Sequence, residues 1–316
     1  MRSPMRRRNL IRTLAGGAAV VLVGDCPLAG AQRGAGRNRT APPRKPLFGF
    51  KQYGMQKIPV RQAINHIARI GYKALELTLM PGWDTEPKLL SKTDRIEIRR
   101  QIGDLGLELS AVMESLRLGP DTNQEMYLER LRTAAEAAHE LSPGPPAMIE
   151  TAVGGRSSAF EETKREMADQ LSVWAKALEP LKTVLAIKGH VGNALDRPER
   201  VLWMFDRVTS PWLRIGYDYS HYKIHGLDMR KTMEQLVGRS VFIHVKDSVG
   251  TEQNYRFLLP GDSGEINYEE YAQILREIGY QGPVLAEVSV QLSEQPGYDG
   301  VAAAKRCWDN LSPFFV

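Results

Sequence analysis

Short apolar runs alternate with amphipathic segments from Leu47 onward, with a spacing of about 30–40 residues. The amphipathic segments place apolar residues at helical spacing, as Val60, Ile64 and Ile67 do, and several end at a glycine. The apolar runs have the length of buried strands: LFGF (47–50), ALELTL (74–79), LELSAVMES (107–115), AMIET (147–151), TVLAIK (183–188), LRIGYD (213–218), VFIHVK (241–246) and PVLAEV (283–288). The pattern therefore predicts eight strand–helix units.

Eight such units over about 270 residues match a (β/α)8 TIM barrel, an α/β fold in which parallel strands close into an inner barrel. The segments ARIGYKALEL (68–77) and REIGYQGPVLAEV (276–288) support repetition, because each joins a helix end to a strand that contains a glutamate. A doubly wound open sheet is the alternative, but no glycine-rich phosphate turn follows the first strand. We predict a single TIM-barrel domain over residues 47–316.

The residues before this domain have a different character. Residues 1–31 join a basic start, a short apolar stretch and the small residues Ala29-Gly30-Ala31, as a cleavable export signal does. RRNLIR (7–12) resembles a twin-arginine signal. Residues 32–46 predict a flexible, disordered linker. We expect export to the periplasm and no stable membrane span after processing; a disordered basic tail or a membrane-anchoring helix is the alternative.

The net charge of +5 comes from this leader. Ten of the 42 Lys and Arg residues lie in residues 1–46 together with one of the 37 acids, which leaves 32 basic and 36 acidic residues for the domain. A nucleic-acid-binding protein carries its positive charge on the folded domain, so nucleic acid is not an expected partner. Two cysteines give no disulfide framework.

Polar residues at the carboxyl ends of the predicted strands indicate a site, because in a barrel these ends share one mouth. They are Glu76, Glu114, Glu150, Lys188, His190, Asp218, His221, His244, Lys246 and Glu287. So many charged groups are costly to bury together unless they pair or bind a cation. Carboxylate and imidazole ligands suit Mn, Zn, Mg or Fe, and such an ion would polarise a carbonyl while carboxylates move protons.

Some of these residues also have a purely structural interpretation. Glu76 could pair with a neighbouring base, and Lys188 could form an ion pair inside the barrel. Glu114 and Glu150 could be solvated residues of the rim. We assign Lys51, at the end of the first strand, to the rim as well.

The motifs, in their order, resemble the sugar phosphate isomerase/epimerase family, which has a xylose isomerase-like TIM barrel. GYKALEL (71–77) resembles the second strand of that family, IGYDYSHY (215–222) its D-x-x-H and IHVKD (243–247) its H-x-K-D. Residues 259–288 resemble its closing turn, helix and glutamate-bearing strand. The resemblance covers about residues 47–316. It implies an enzyme that abstracts a proton next to a carbonyl of a sugar.

Keto-sugar epimerases of this family bind one divalent metal through Glu, Asp, His and Glu of strands five to eight. The resemblance assigns Asp218, His244 and Glu287 to the last three ligands. The first does not match, because Lys188 in AIKGH stands where the family has Glu. Glu150 is then a substitute ligand. The resemblance implies one divalent ion (Mn, Zn, Mg or Co), whose identity the sequence leaves open.

The resemblance also gives roles to the other residues at the mouth. The expected catalytic groups are Glu287, His221 and Lys188, and the expected substrate contacts are Glu76, Glu114, His190 and Lys246. Lys188 could act as an electrophile or acid beside an enediolate, or neutralise Glu150 or Glu114.

We therefore expect an exported, metal-dependent isomerase or epimerase that acts on a sugar, a keto-sugar derivative or a glycoside. Export argues against a phosphorylated substrate. A keto-glycoside lyase and a barrel that binds carbohydrate without catalysis are the alternatives. The related AP endonucleases are a poor match, because the chain lacks their additional D-x-H after strand seven. The oligomeric state stays open, a homo-oligomer included.

Overall fold

Eight parallel strands form a closed barrel at the centre of the computed structural model, which describes residues 46–316. The strands of the barrel are β1 (Phe48–Lys51), β2 (Ala74–Thr78), β3 (Glu108–Met113), β4 (Met148–Thr151), β5 (Leu185–Lys188), β6 (Leu213–Asp218), β7 (Ser240–Val245) and β10 (Val284–Ala286). They follow this order around the barrel, and β10 pairs with β1. The predicted (β/α)8 barrel is confirmed, whereas the predicted signal and all but the last residue of the predicted linker lie outside the described residues.

Helices surround the barrel and connect its strands. They are α1 (Val60–Ile70), α2 (Lys92–Asp104), α3 (Gln124–Leu141), α4 (Phe160–Leu178), α5 (Pro198–Arg207), α6 (Tyr219–Ile224), α7 (Met229–Leu236), α8 (Tyr268–Ile278), α9 (Val290–Ser293) and α10 (Gly300–Phe315). Helix α2 begins where Ser91 and Asp94 form a capping box, in which each side chain accepts the other's backbone N–H. No helix among residues 46–316 has the length and apolar character needed to cross a membrane.

The core lies between the barrel and the helices. The strands are buried almost throughout, and the helices present apolar stripes to them. On α4 the stripe consists of Met167, Leu171, Trp174 and Leu178, all fully buried. Each such side chain contributes about 1.5–3 kcal/mol when it leaves water. This packing holds the strands in place. It therefore also fixes the positions of the residues at the carboxyl ends of the strands.

The register of the strands brings polar side chains to one level near the carboxyl ends. Lys51 on β1 pairs with Glu76 on β2, and Asp218 on β6 pairs with His244 on β7. Because these residues lie side by side in the sheet, their side chains can meet inside the barrel.

A two-stranded hairpin and a short helix near the mouth are absent from the sequence-based prediction. Strands β8 (Asp247–Val249) and β9 (Arg256–Leu258) form an antiparallel hairpin directly after β7. Helix α6 begins directly after β6, and the Asp218 carboxylate accepts the backbone N–H of Ser220 at its start. Elements of three to six residues carry too few positions to show a period, which explains why the pattern missed them.

We predict that Gly216→Ala destabilises the barrel. A β-carbon at Gly216 would overlap the ring of Phe242, which packs 4.7 Å from the His244 ring. Overpacking of this kind costs about 1–3 kcal/mol, to be measured by chemical denaturation. The control is Gly238→Ala, where a β-carbon meets open space and the change should stay within about 0.5 kcal/mol. Equal stability of the two variants would contradict the described packing.

Candidate active site

Nine charged or titratable side chains converge inside the mouth of the barrel, and we call them the charged cluster. They are Lys51, Glu76, Glu150, Lys188, Asp218, His221, His244, Lys246 and Glu287, and none is more than 6% exposed. Four are carboxylates and three are lysines. Charges at this depth are stable only when they pair with one another, and the ion pairs described below meet that requirement.

Lys51 links three of the carboxylates. Its Nζ lies 3.1 Å from Glu76, 3.2 Å from Glu150 and 3.3 Å from Glu287. The assignment of Lys51 to the rim is wrong, because its side chain is fully buried among these partners. Burial lowers the pKa of Lys51, but the three carboxylates outweigh burial and hold the pKa well above its usual value. The solvated-rim alternative for Glu150 fails for the same reason, since Glu150 is buried against Lys51.

Asp218, His244 and Glu287 come together as the resemblance implies. Each can offer one ligand atom, and these atoms lie within 4.8 Å of one another. His244 Nε2 is 2.7 Å from Glu76 Oε2, and His244 Nδ1 is 2.8 Å from Lys188 Nζ. A lysine ammonium can only donate hydrogen bonds, so His244 Nδ1 accepts one from Lys188. The Nε2–H group then donates a hydrogen bond to Glu76. Glu76 thus fixes the orientation of the His244 ring.

The Lys188 ammonium lies among these three side chains. Its Nζ is 2.8 Å from His244 Nδ1, 2.9 Å from Glu287 Oε2 and 3.8 Å from Asp218 Oδ2. Glu150 Oε1 lies 3.6 Å away on the other side. Burial lowers the pKa of Lys188 and Glu287 raises it, and with the further carboxylates the net direction is upward. The interpretation of Lys188 as an ion pair inside the barrel therefore describes its contacts correctly.

Lys246 lies nearer the hairpin and contacts the same two carboxylates. Its Nζ is 3.3 Å from Asp218 Oδ2 and 3.2 Å from Glu287 Oε2, and it lies 4.2 Å from the centre of the Phe257 ring on β9. Burial raises the pKa values of Asp218 and Glu287, but the neighbouring lysines outweigh it and hold both pKa values well below the usual range. Both carboxylates are ionised at neutral pH.

The two histidines His190 and His221 pack against each other, with ring centres 4.0 Å apart. Burial and nearby positive charges lower the pKa of His190 to about 4 and that of His221 well below its usual value. Both rings are therefore neutral at pH 7. His221 Nδ1 accepts the backbone N–H of Val191 at 3.4 Å, and its Nε2 lies 3.3 Å from Asp218 Oδ2 and 3.4 Å from Lys246 Nζ.

Glu114 stands apart from the charged cluster. Its carboxylate is buried and forms a two-pronged ion pair with Arg130 of α3, with Arg130 Nε 2.9 Å from Oε1. It is therefore not a solvated residue. Among residues 46–316, no ion pair joins Glu114 to a lysine of the cluster. A substrate contact for Glu114 stays a prediction.

Lys51 and Phe257 are site residues that the sequence pattern did not predict. Lys51 showed one signal, its place at the end of a barrel strand beside a strand with Glu76. Phe257 showed none, because it reaches the mouth only through the unpredicted hairpin. Asp247 directly follows Lys246 in the sequence but is not a member of the charged cluster. Its carboxylate accepts hydrogen bonds from Tyr268 and Ser263 at 2.6–2.8 Å and so anchors the loop after β9.

A second group of possible ligands, Asp196, His225 and Glu252, lies outside the cluster. Arginines already neutralise it: Arg200 Nη1 is 2.8 Å from Asp196, and Arg197 Nη2 lies 3.2 Å from His225 Nδ1 and 3.7 Å from Glu252. We interpret it as a structural ion-pair network at the start of α5.

Fold and site together define a TIM barrel with a buried, charged centre at the carboxyl ends of its strands. The chain belongs to the xylose isomerase-like TIM barrel family, which matches residues 64–309. The family resemblance expected from the motifs of strands two, six, seven and eight is confirmed.

Relatives in the family include sugar epimerases. L-ribulose-5-phosphate 3-epimerase UlaE of Shigella boydii serotype 18 is 24% identical over 146 residues, which are 46% of this chain and 50% of that protein. The chain thus spans about half the length of the curated relatives it matches.

Solved structures share the fold at low sequence identity. 3-keto-D-glucoside 4-epimerase YcjR from E. coli superposes with a TM-score of 0.68 and 15% identity, over 85% of this chain and 100% of that chain. The IOLI protein, crystallised with a zinc atom, gives a TM-score of 0.70 and 15% identity, over 85% and 99% of the two chains.

The metal ion implied by the resemblance would need free ligand atoms. Asp218, His244 and Glu287 form a group of a kind that can hold an ion. In this structure, however, the His244 Nδ1 lone pair and one Glu287 oxygen accept from Lys188, and the Asp218 oxygen faces Lys246. The fourth ligand position has an ammonium instead of a carboxylate. As arranged, these residues fit a lysine ammonium better than a divalent ion.

We predict that Lys51→Met lowers the free energy of unfolding by about 3–5 kcal/mol, because it leaves three buried carboxylates with less positive charge. Chemical denaturation at pH 7 measures the change. The control Lys57→Met removes a lysine from the surface and should change stability by less than about 0.5 kcal/mol. If Lys51→Met is as stable as the control, Lys51 does not hold the cluster together.

Proposed function

We propose that the protein is an enzyme that abstracts a proton next to a carbonyl of a small sugar or keto-sugar derivative. The observation that carries the proposal is the charged cluster, which joins ionised carboxylates to ammonium groups at the mouth of a barrel of this family. The substrate class is supported by the similarity to UlaE, an epimerase of a keto-pentose phosphate, and to YcjR, an epimerase of a keto-glucoside.

The first requirement of such a reaction is a base. Glu287 is the most exposed carboxylate of the cluster, which suits contact with a substrate at the mouth. It is ionised at neutral pH because Lys188, Lys246 and Lys51 surround it. A carboxylate held in place removes a proton more effectively than one in free solution, since no reorganisation is needed. Glu287 would take the proton from the carbon next to the carbonyl.

The second requirement is positive charge near the oxygen that becomes negative. Lys188 and Lys246 both lie within 3.2 Å of Glu287 Oε2. Hydrogen-bond donors fixed in a buried site stabilise a developing oxyanion strongly. The neutral His221, and His190 packed against it, suit the uncharged hydroxyl groups of a sugar. Delivery of a proton to the opposite face of the same carbon would give an epimer. Delivery to the former carbonyl carbon, with transfer of the neighbouring hydroxyl proton to the oxyanion, would give an isomer, and loss of a β-substituent would give the lyase reaction.

We also propose the cellular context predicted from the sequence: an export signal in residues 1–31, a linker in 32–46 and a periplasmic barrel in 47–316. Basic residues followed by a short apolar stretch support this organisation. An exported enzyme would meet free sugars and glycosides, so the proposed substrate carries no phosphate.

The proposed reaction predicts hydrogen exchange between substrate and solvent. Incubation with free ketoses, aldoses and 3-keto-glycosides in heavy water should place deuterium on the carbon next to the carbonyl of one of them, as mass spectrometry detects. Glu287→Gln should lower the exchange rate by about 10²–10⁴-fold, the usual contribution of a positioned base.

The control for this experiment is Glu269→Gln, which removes a carboxylate from the exposed side of α8 and should leave exchange unchanged. A sugar that binds without any exchange would contradict catalysis and favour the carbohydrate-binding barrel. Exchange that proceeds unchanged in Glu287→Gln would assign the base to another group.

A further inference from the structure

We propose that the Lys188 ammonium takes the place of the divalent ion in this barrel, so that the protein binds no catalytic metal and Lys188 itself is the electrophile. The catalytic half of this inference rests on the proposed function, whereas the absence of metal binding can be tested by itself.

The Lys188 ammonium occupies the position that an ion would need. Lys188 Nζ lies 2.8 Å from His244 Nδ1, 2.9 Å from Glu287 Oε2 and 3.8 Å from Asp218 Oδ2. These atoms belong to the three side chains that could otherwise share an ion. A cation bound between them would have to occupy the volume of the ammonium group. Lysine and ion therefore exclude each other at this point.

The lone pair of His244 is already engaged in a hydrogen bond. A histidine binds a metal through a nitrogen that carries no proton. Nε2 donates to Glu76 at 2.7 Å, and Nδ1 lies 2.8 Å from Lys188 Nζ and 3.1 Å from Glu287 Oε2; because the ammonium can only donate, Nδ1 is the nitrogen with the free lone pair. That lone pair accepts a hydrogen bond from Lys188. The hydrogen bond to Glu76 thus leaves His244 Nδ1 free to accept a hydrogen bond, and the Lys188 ammonium donates it.

The charge of the cluster also disfavours a divalent ion. Asp218 Oδ2 and Glu287 Oε2 face two ammonium groups, because Lys246 lies 3.3 Å and 3.2 Å from the same two oxygens. Over the whole charged cluster, four carboxylates and three ammonium groups give a net charge of −1, the histidines not counted. A divalent ion added between them would leave the buried cluster with a net positive charge, which is unfavourable. Binding would therefore require that a lysine lose its proton or leave.

The chemistry that follows needs no co-reactant. The carboxylate of Glu287 takes a proton from the carbon next to the carbonyl. The electrons of that C–H bond form a C=C bond, and the carbonyl π electrons move to oxygen. An ammonium has three N–H groups; His244 and Glu287 take two at Lys188, and the third can donate to this oxygen. Return of the proton to the same carbon restores the original carbonyl. Return to the former carbonyl carbon gives an isomer when the neighbouring hydroxyl passes its proton to the oxyanion and becomes the new carbonyl.

Metal binding by the full-length chain tests the first half of the inference. After incubation with Mn²⁺, Zn²⁺ or Co²⁺ and dialysis, we expect less than about 0.1 ion per chain and no rise in Tm at 1 mM metal. Lys188→Glu should bind about one ion and gain roughly 5 °C or more in Tm with metal. Lys188→Met, which removes the ammonium without adding a charge, should bind an ion more weakly.

Two controls assign the ion to the cluster. Lys176→Glu makes the same change of charge on the exposed side of α4 and should gain no metal. The double variant Lys188→Glu/Asp218→Asn should lose what Lys188→Glu gains. One tightly bound ion in the wild-type chain that Asp218→Asn removes would overturn the proposal. So would a failure of both single Lys188 variants to gain metal, because the ammonium would then not be what excludes the ion.

Catalysis gives the second half of the test. Deuterium exchange by the wild-type chain should survive prolonged treatment with EDTA, and Lys188→Met should lower it at least about 100-fold. Loss of exchange on chelation, with recovery on added metal, would overturn the inference. Trapping of the substrate on Lys188 by borohydride would also overturn the inference, since Lys188 would then form a covalent imine with the substrate carbonyl. If no sugar exchanges at all, the proposed function fails, while the metal measurements still decide how Lys188 is used.

Discussion

Four carboxylates inside a barrel stay ionised only if positive charge lies beside each of them, and this requirement shapes the centre of the molecule. Lys51 of β1 reaches Glu76 of β2, Glu150 of β4 and Glu287 beyond β10. One ammonium group thus ties together strands from several parts of the barrel. The hydrophobic layer between strands and helices holds the backbone, but the ion pairs decide which polar side chains can share the interior.

The same requirement limits the chemistry that the site can perform. The carboxylates Asp218 and Glu287 have low pKa values, and the imidazoles His190 and His221 are neutral. Acid groups are therefore available as bases, and lysines supply positive charge beside them. A low pKa also makes Glu287 a weak base, so removal of a weakly acidic C–H proton depends on the lysines that stabilise the negative charge as it moves to a carbonyl oxygen.

The barrel could be predicted from the sequence because eight apolar runs alternate with helical periods, and the cluster because most of its members follow those runs. The contacts and role of each of these groups could not be predicted from the sequence. Lys51 was assigned to the rim because its three partners lie up to 236 residues away and meet it only in the closed barrel. Arg130, the partner of Glu114, lies on a helix whose facing direction the pattern gives only roughly. Phe257 depends on a hairpin whose strands have three residues each.

Lys188 shows most clearly what a motif can and cannot establish. A glutamate together with a divalent ion would bring a charge of +1 to the last position of β5, and one lysine brings the same charge. The surrounding Asp218, His244 and Glu287 therefore experience a similar field with either arrangement, and their motifs carry no sign of the difference. The distinction lies in directional bonding: an ion accepts lone pairs from all its ligands, whereas an ammonium donates three hydrogen bonds and can give one to a substrate. Only the side-chain contacts of Lys188, and not its motif, indicate the second arrangement.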